Sequence, residues 1–553
     1  MADPRPRRRA LCVRPQVNAD AAPFLRAISD EWVHALALHC DVSTIEGDFD
    51  FEEVCGRVRP DFVIYDAVHW VRPIRTRVKN ALAYPHIPRA FFFNCDPHDP
   101  ARPHILRALA DYGADTVFCG IEHLQQMPEL ARYDCFVIPL FIDDTVFRDH
   151  QLEKTIPVSI FGGHLYPSFY PWRAKITEEM PHHIPTLIYP HPGYAAGTVN
   201  PFEARDEKYA RLLSASHYAI ADTTRLDYVV RKHLEIPAAG AVLVAPDSET
   251  VKALGFVDME NCLLGEGPDL YQRMKDVSAD PAHYERIRKA GHDLVHGRYT
   301  RAHWTHILDW FECRATCAAD EVPQQTERFG RFRKVSAAGC GSSIADLTIP
   351  HTPMSAILED ATVAILTDGD RSGAQRRLAQ SLEWIGHIAE PRFLSGVIAM
   401  LDGDLDEAAR LISWRAGVEV GGTPAAPLYS FGLMDPCELA WMLLICGIRN
   451  DQPMCAALLE LVPETPHVAV RRALWLLSGS PHDVHFGEEG LMEARSGDWP
   501  SIHWLGQESF PDWLRLTARM LHANGQEGPA GHLSAIAGAF DEEQPDEAMG
   551  HVA

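Results

Sequence analysis

The stretch "RLDYVVRKHLEIPAAGAVLVAP", residues 225–246, decides how this chain is read. Asp227, Arg231 and Glu235 lie four apart, as do Tyr228 and Lys232, and Pro237 and Gly240 then end the pattern. A helix opening after Thr223 or Thr224, either of which can cap it, puts Asp227, Arg231 and Glu235 on one stripe with Tyr228 and Lys232 alongside. Alone, such a stripe is a solvated ladder of ion pairs, each worth roughly 0.2–0.5 kcal/mol. Its setting argues for more. Ala241–Ala245 reads as a buried strand, so the charges sit beside a strand junction, where open α/β sheets bind ligands.

Outward from this stretch, short Val-, Ile- and Phe-rich runs alternate with amphipathic segments in two successive sets. The first holds "ALCVR", "DVSTIEG", "DFVIYDA", "RAFFFNC", "DTVFCG" and "CFVIPLF"; the second holds "VSIFGG", "TLIYPH", "YAIADTT", "AVLVAP" and "NCLLGE". Alternation of this kind predicts βα units and two parallel sheets, each covered on both faces. The second set closes on a long helical segment, residues 283–311, broken near Gly297.

Beyond Cys317 the pattern changes. Residues 318–355 lack sustained periodicity and read as a linker, and 356–525 read as all helix. "DGD" stands at 368–370 and again at 402–404, each time between two helical runs, and "CELAWMLLICGIRNDQPMCAALLELV" is a looser third copy. The 34-residue recurrence matches tetratricopeptide-type helical hairpins. The boundaries expected are a flexible basic tail over 1–9 and Rossmann-like domains over 10–150 and 151–317. After them come the linker over 318–355, the helical-repeat domain over 356–525 and a fraying Gly-, Ala- and acid-rich tail over 526–553.

A chain of 553 residues exceeds what one core organises. The net charge of −25 argues against nucleic acid or an anionic lipid surface as partner, though not against a local basic pocket. Thirteen scattered cysteines without a CxxC pair suit free thiols in a reducing compartment. The basic start "MADPRPRRRA" leads into no apolar signal run, and "AWMLLICGI" is too short to span a bilayer. A cytoplasmic protein without integral membrane association is expected. The 28 histidines show no HExxH or other metal spacing, and both DGD triplets read as turns, so no metal site is expected.

Several spaced motifs together resemble a known family. "YARLLSASHYAIADTTRLDYVVRKHLEIPAAGAVLVAPDSETVKALGFVDMENCLL" and "ERIRKAGHDLVHGRYTRAHW" are similar to the second domain of group 1 glycosyltransferases, in the subgroup related to spore-maturation proteins. The upstream "VSIFGGHLYPSFYPWRAKI" and the segment "FIDDTVF" at 141–147 extend the likeness to about residues 10–315. The resemblance implies the GT-B fold, two Rossmann-like domains facing across a cleft, followed here by the all-α repeats. It implies no cofactor, but a nucleotide-diphosphate-sugar co-substrate held by the second domain. Relatives carry a Glu-x7-Glu pair where this chain has Asp227 and Glu235. By that logic Glu235 takes the donor ribose hydroxyls, while Asp227, with its shorter reach, faces the donor sugar.

Leaving-group chemistry points to the same residues. A departing nucleoside diphosphate gathers negative charge, which a metal-free site offsets with cations and backbone N–H groups. Arg231 and Lys232 are the cations, with Arg173 a further candidate. Gly162 and Gly163 allow close backbone approach to the phosphates, and Tyr228 lies on the same stretch. Gly240 reads equally as a ligand contact or a helix end. In the first domain "FFFNCDPHDPARP" places Asp96, His98 and Asp99 at a strand end. Asp96, with His98 second, is the candidate base for an acceptor hydroxyl, set against an equally weighted turn. "HPGY" at 191–194 reads as a turn before it reads as a base or sugar contact. The expectation is a sugar transferase whose acceptor is a glycan, lipid-linked or small molecule, or a protein or peptide docked on the repeats. A non-catalytic scaffold and a nucleotide-sugar epimerase are the alternatives.

Overall fold

The computed structural model describes residues 7–14, 23–66, 76–93, 102–120, 130, 133–162, 170–189, 206–224, 227–339, 353–385, 389–413, 434–462, 466–478, 489–493, 498–503, 505–506 and 508–543. The chain divides into two compact units. One is Met1–Pro97 with Gly113–Thr352, and the other is His98–Tyr112 with Pro353–Ala553.

The first unit contains β1 (Arg9–Arg14), β2 (Asp41–Glu46), β3 (Phe49–Asp50), β4 (Phe62–Asp66), β5 (Val78–Lys79), β6 (Arg89–Phe92), β7 (Thr116–Cys119) and β8 (Asp134–Val137). Six of these form a parallel sheet in the order β2-β1-β4-β6-β7-β8, and β3 pairs with β5 separately. Next come β9 (Ile156–Phe161), β10 (Thr186–Tyr189), β11 (Ser216–Ile220), β12 (Val242–Ala245) and β13 (Leu263–Leu264). They form a second parallel sheet in the order β10-β9-β11-β12-β13. The buried strand expected within 241–245 is β12.

Both faces of this second sheet are covered, which is why its strands read as continuous apolar runs. Val158, Ile160, Tyr218, Ile220, Val242 and Val244 face one cluster. Phe161, Ala219, Leu243 and Ala245 face the other. Strand order reverses between β10-β9 and β9-β11, so successive crossovers leave in opposite directions and open a crevice at the carboxyl ends of β9 and β11. Gly162 and Asp222 lie there by sequence.

Pro281–Arg298 runs as one helix through Gly297, and the break expected there falls after it. The helix His306–Arg314 then returns to the first sheet, where Ile307, Trp310 and Phe311 are buried among Trp32, Phe62, Phe92 and Phe118. Trp310 meets Phe118 edge to face at 5.4 Å. Part of the expected linker is ordered: β14 (Glu321–Gln325) and β15 (Phe332–Ser336) form an antiparallel hairpin. Gln325, 3% exposed, accepts from the Val137 N–H at 2.9 Å and donates to the Val137 carbonyl at 2.8 Å. Its side-chain amide thereby occupies the open edge of β8, satisfying groups that would otherwise invite another strand.

The second unit is helical among its described residues. Segment 98–112, expected with the first α/β domain, belongs to it through the helix Arg102–Asp111. Arg102, 1% exposed, places Nη1 2.6 Å from Glu390 Oε1 and donates from Nη2 to the Ile502 carbonyl at 3.3 Å. Helical hairpins turn at Asp368, Gly403, Asn450 and Gly525, all with positive φ. Asp370 and Asp404 accept from Gly373 and Glu407 N–H groups at the start of the next helix, so both DGD triplets are turns. The tail expected to fray from 526 is instead the helix Glu527–Glu543. Ala530, Leu533 and Ala537 are buried and Phe540 packs on Phe510 at 5.9 Å, an apolar stripe at helical spacing.

Candidate functional site

The helix expected from Thr223 or Thr224 starts only at Lys232 and spans Lys232–Ala238. Upstream the backbone closes a turn. Thr224 N–H donates to the Tyr228 carbonyl at 3.0 Å, Asp227 N–H donates to the Thr224 carbonyl at 2.9 Å, and Asp227 takes φ +61°. Such local bonds compete with a helix, and an Asp tolerates the left-handed conformation. Asp227 is therefore off the stripe. Its Oδ1 accepts from Ser248 Oγ at 2.6 Å and its carbonyl from Thr250 Oγ1 at 2.8 Å. Of the predicted ladder only Arg231 and Glu235 remain, with Nε and Oε1 3.6 Å apart.

At the crevice, Gly162 follows β9 with φ +117°. A Cβ there would lie 2.5 Å from Arg173 Nη1 and 3.5 Å from Lys232 Nζ, so a side chain would both strain this backbone and displace the Arg173 guanidinium. Arg173 comes from the helix Pro171–Glu179 and is 2% exposed. Its N–H donates to Asp222 Oδ2 at 2.8 Å, and its guanidinium stacks 3.9 Å above the Tyr170 ring. Nε and Nη2 are buried without a hydrogen-bond partner among the described residues. Among the described residues neither Arg173 nor Lys232 has a carboxylate within ion-pair reach, whereas a buried cation ordinarily demands one. Burial, then the Arg173 charge, lowers the Lys232 ammonium to about 8. Burial raises the Asp222 carboxyl to about 7 against the pull of Arg173. His233, wholly buried beside them, is driven down to about 4, chiefly by burial. Two convergent cations beside Gly162, one of them with buried N–H groups unpartnered among the described residues, form a site suited to an anion.

Arg231 is differently placed from its neighbour. Its Nη2 pairs with Glu31 Oε2, on the helix Pro23–Ala37 of the first α/β half. Burial works against its charge, but Glu31 and Glu235 outweigh burial and raise its pKa. Arg231 thus lies between two carboxylates, whereas Arg173 and Lys232 have none within ion-pair reach among the described residues. Glu235, 8% exposed, is raised by burial and held back by Arg231 and Lys232. It faces the buried Tyr209 phenol, which burial and then this carboxylate keep protonated.

Gly240 stands elsewhere. A Cβ on it would lie 3.0 Å from Asp149 Cγ, and its carbonyl accepts from Lys154 Nζ at 2.5 Å. Tyr228 lines an apolar cavity between the two α/β halves with Trp32, Phe92, Phe141, Leu254 and Phe329, and Glu31 and Arg231 are its charged lining. Gly163, Asp96, His98, Asp99 and 191–194 lie outside the described residues. Glu31 and Asp222 were not singled out in the sequence. Asp222 was readable as the acid just past a core strand, while Glu31 carried no local signal. Among the described residues no three His, Cys, Asp or Glu side chains gather as metal ligands, and no helix is long and apolar enough to cross a membrane.

Residues 151–309 match a family described as glycosyl transferase-like. No curated protein matches the chain. Among solved structures, sucrose-phosphate synthase from Thermosynechococcus elongatus is similar at 12% identity and TM-score 0.35, over 53% of this chain and 95% of that one. HepE of Anabaena, solved with UDP-glucose, is similar at 11% identity and TM-score 0.33, over 53% and 96%. The pneumococcal O-GlcNAc transferase GtfA is similar at 10% identity and TM-score 0.27, over 44% and 54%.

Proposed function

We propose that the chain is a GT-B glycosyltransferase that moves a sugar from a nucleoside-diphosphate-sugar donor to an acceptor. The observation that carries this reading is the buried Arg173, whose Nε and Nη2 have no hydrogen-bond partner among the described residues where Gly162 and Lys232 converge with it. A diphosphate supplies acceptor oxygens to those groups, and the same cations stabilise the charge that builds on it as the glycosidic bond breaks. The glycosyl transferase-like match over 151–309 spans all of these residues. In this reading Glu235 takes ribose hydroxyls, Arg173 and Lys232 replace a divalent ion, and the acceptor enters from the first α/β half. The helical hairpins of the second unit, read as a tetratricopeptide-type surface, dock a protein or peptide acceptor.

Calorimetric titration of the full chain with uridine, guanosine, adenosine and thymidine diphosphates tests the donor site. One of them binds at one per chain while the matching nucleoside binds far more weakly; no binding by any of them defeats the reading. A second reading, a non-catalytic nucleotide-sugar-binding protein, draws support from Asp227, whose carboxylate is engaged by Ser248. Release of the nucleoside diphosphate from a bound nucleotide sugar, followed by chromatography, separates the two.

A further inference from the structure

Arg231 is one guanidinium among three acids. It pairs with Glu31 through Nη2, approaches Glu235 Oε1 to 3.6 Å through Nε, and feels the charge of Asp143. Asp143 is already engaged: Arg301 Nη2 lies 2.7 Å from its Oδ1, which also accepts from the Thr145 N–H at 2.9 Å. The contest for Arg231 is therefore between Glu31, from the first α/β half, and Glu235, from the second. At 3.6 Å the Arg231–Glu235 contact is an ion pair too long for a hydrogen bond. That leaves the Glu235 carboxylate without a guanidinium hydrogen bond, with the Tyr209 phenol as its other polar neighbour.

We infer that Glu31 is a positioning residue of the donor site, supplied from across the cleft, which holds the Arg231 fork away from Glu235 and so keeps that carboxylate open to ligand hydroxyls. The inference rests on the donor-site reading above. Without the Glu31 charge, the planar fork of Arg231 closes on Glu235 in the bidentate geometry that Arg and carboxylate favour. The carboxylate is then spent on a protein partner before a ribose arrives. Glu31 touches no ligand in this scheme and acts through Arg231 alone. Because the link crosses between the two α/β halves, it also ties the competence of the donor site to their approach.

The test is a double-substitution cycle on the full chain, read by calorimetric titration with the tightest-binding nucleoside diphosphate and, separately, with inorganic pyrophosphate. Glu31→Gln should weaken the nucleoside diphosphate about tenfold, the effect of losing one charge-assisted hydrogen bond, and leave pyrophosphate, which has no ribose, unchanged. In a Glu235→Gln background the same Glu31→Gln change should add nothing, because the carboxylate it protects is gone. Glu31→Asp should recover part of the loss. Additive effects, or equal losses for nucleotide and pyrophosphate, would overturn the inference and mark Glu31 as a general structural contact. If the unsubstituted chain binds neither probe, the donor-site reading itself fails, a result distinct from either of these.

Discussion

Replacing Arg173 by Met separates a ligand-binding role from a structural one. Met keeps most of the aliphatic volume in a position 2% exposed while deleting the guanidinium. In the free protein the change removes two buried N–H groups without partners, and relief of such orphaned groups is worth about 1–3 kcal/mol. It also removes stacking on Tyr170 at 3.9 Å, a loss of about 0.5–2 kcal/mol. The two terms oppose each other, so the thermal midpoint of the free chain should move by no more than about 3 °C. Binding has no such compensation. Losing one charge-assisted hydrogen bond to phosphate costs about 1.5–3 kcal/mol, or roughly ten- to hundredfold in affinity. Scanning calorimetry and titration with nucleoside diphosphate on the same samples give both numbers. A large fall in thermal midpoint with unchanged affinity would refute the argument, since Arg173 would then hold the fold and not a ligand.

Four further outcomes follow from the same geometry. Gly162→Ala should cost affinity of similar size, because the new Cβ meets Arg173 Nη1 at 2.5 Å in a backbone with φ +117°; normal binding by this variant would show the convergence to be incidental. Lys232 sits at about 8 when the site is free, and a bound diphosphate raises it. Affinity should therefore be full below pH 8 and fall by up to about tenfold per pH unit above it, with proton uptake visible as a buffer-dependent binding enthalpy; a flat profile from pH 7 to 9.5 contradicts this. Sugar transfer should persist in excess chelator, and loss restored by magnesium or manganese would show that two cations do not suffice. A chain ending at residue 352 should fail to give a folded monomer by size exclusion and circular dichroism, because the helix Arg102–Asp111 loses Glu390. Leaving a buried partner unpaired costs about 3–5 kcal/mol, and a cooperatively folding monomer would argue otherwise.

Much of the architecture was legible because it rests on local pattern. Apolar runs at βα spacing located the strands of both sheets, including β12 inside the quoted stretch, and the DGD triplets marked helical turns. What failed was decided by longer-range or competing interactions. The stripe through Asp227 gave way to side-chain and backbone bonds from Thr224, Ser248 and Thr250. The β14–β15 hairpin escaped notice because "EVPQQ" is polar and carries Pro323; its order depends on Gln325 pairing with Val137, 188 residues away. The helix 102–111 looked like an ordinary crossover, and its membership of the second unit is fixed by an Arg102–Glu390 pair that no periodicity encodes. The site divides in the same way. Gly162, Lys232 and Glu235 were candidates by motif and Arg173 a further one, whereas Glu31 has no local pattern and is noticed only when folding brings it to Arg231.

The most direct test is a crystal structure of the full chain with a nucleoside diphosphate bound. The account predicts phosphate oxygens within hydrogen-bonding distance of Arg173 Nε or Nη2 and of Lys232 Nζ, lying against the Gly162 backbone, with ribose hydroxyls on Glu235. A diphosphate bound elsewhere, with the Arg173 guanidinium still unpartnered, would contradict it.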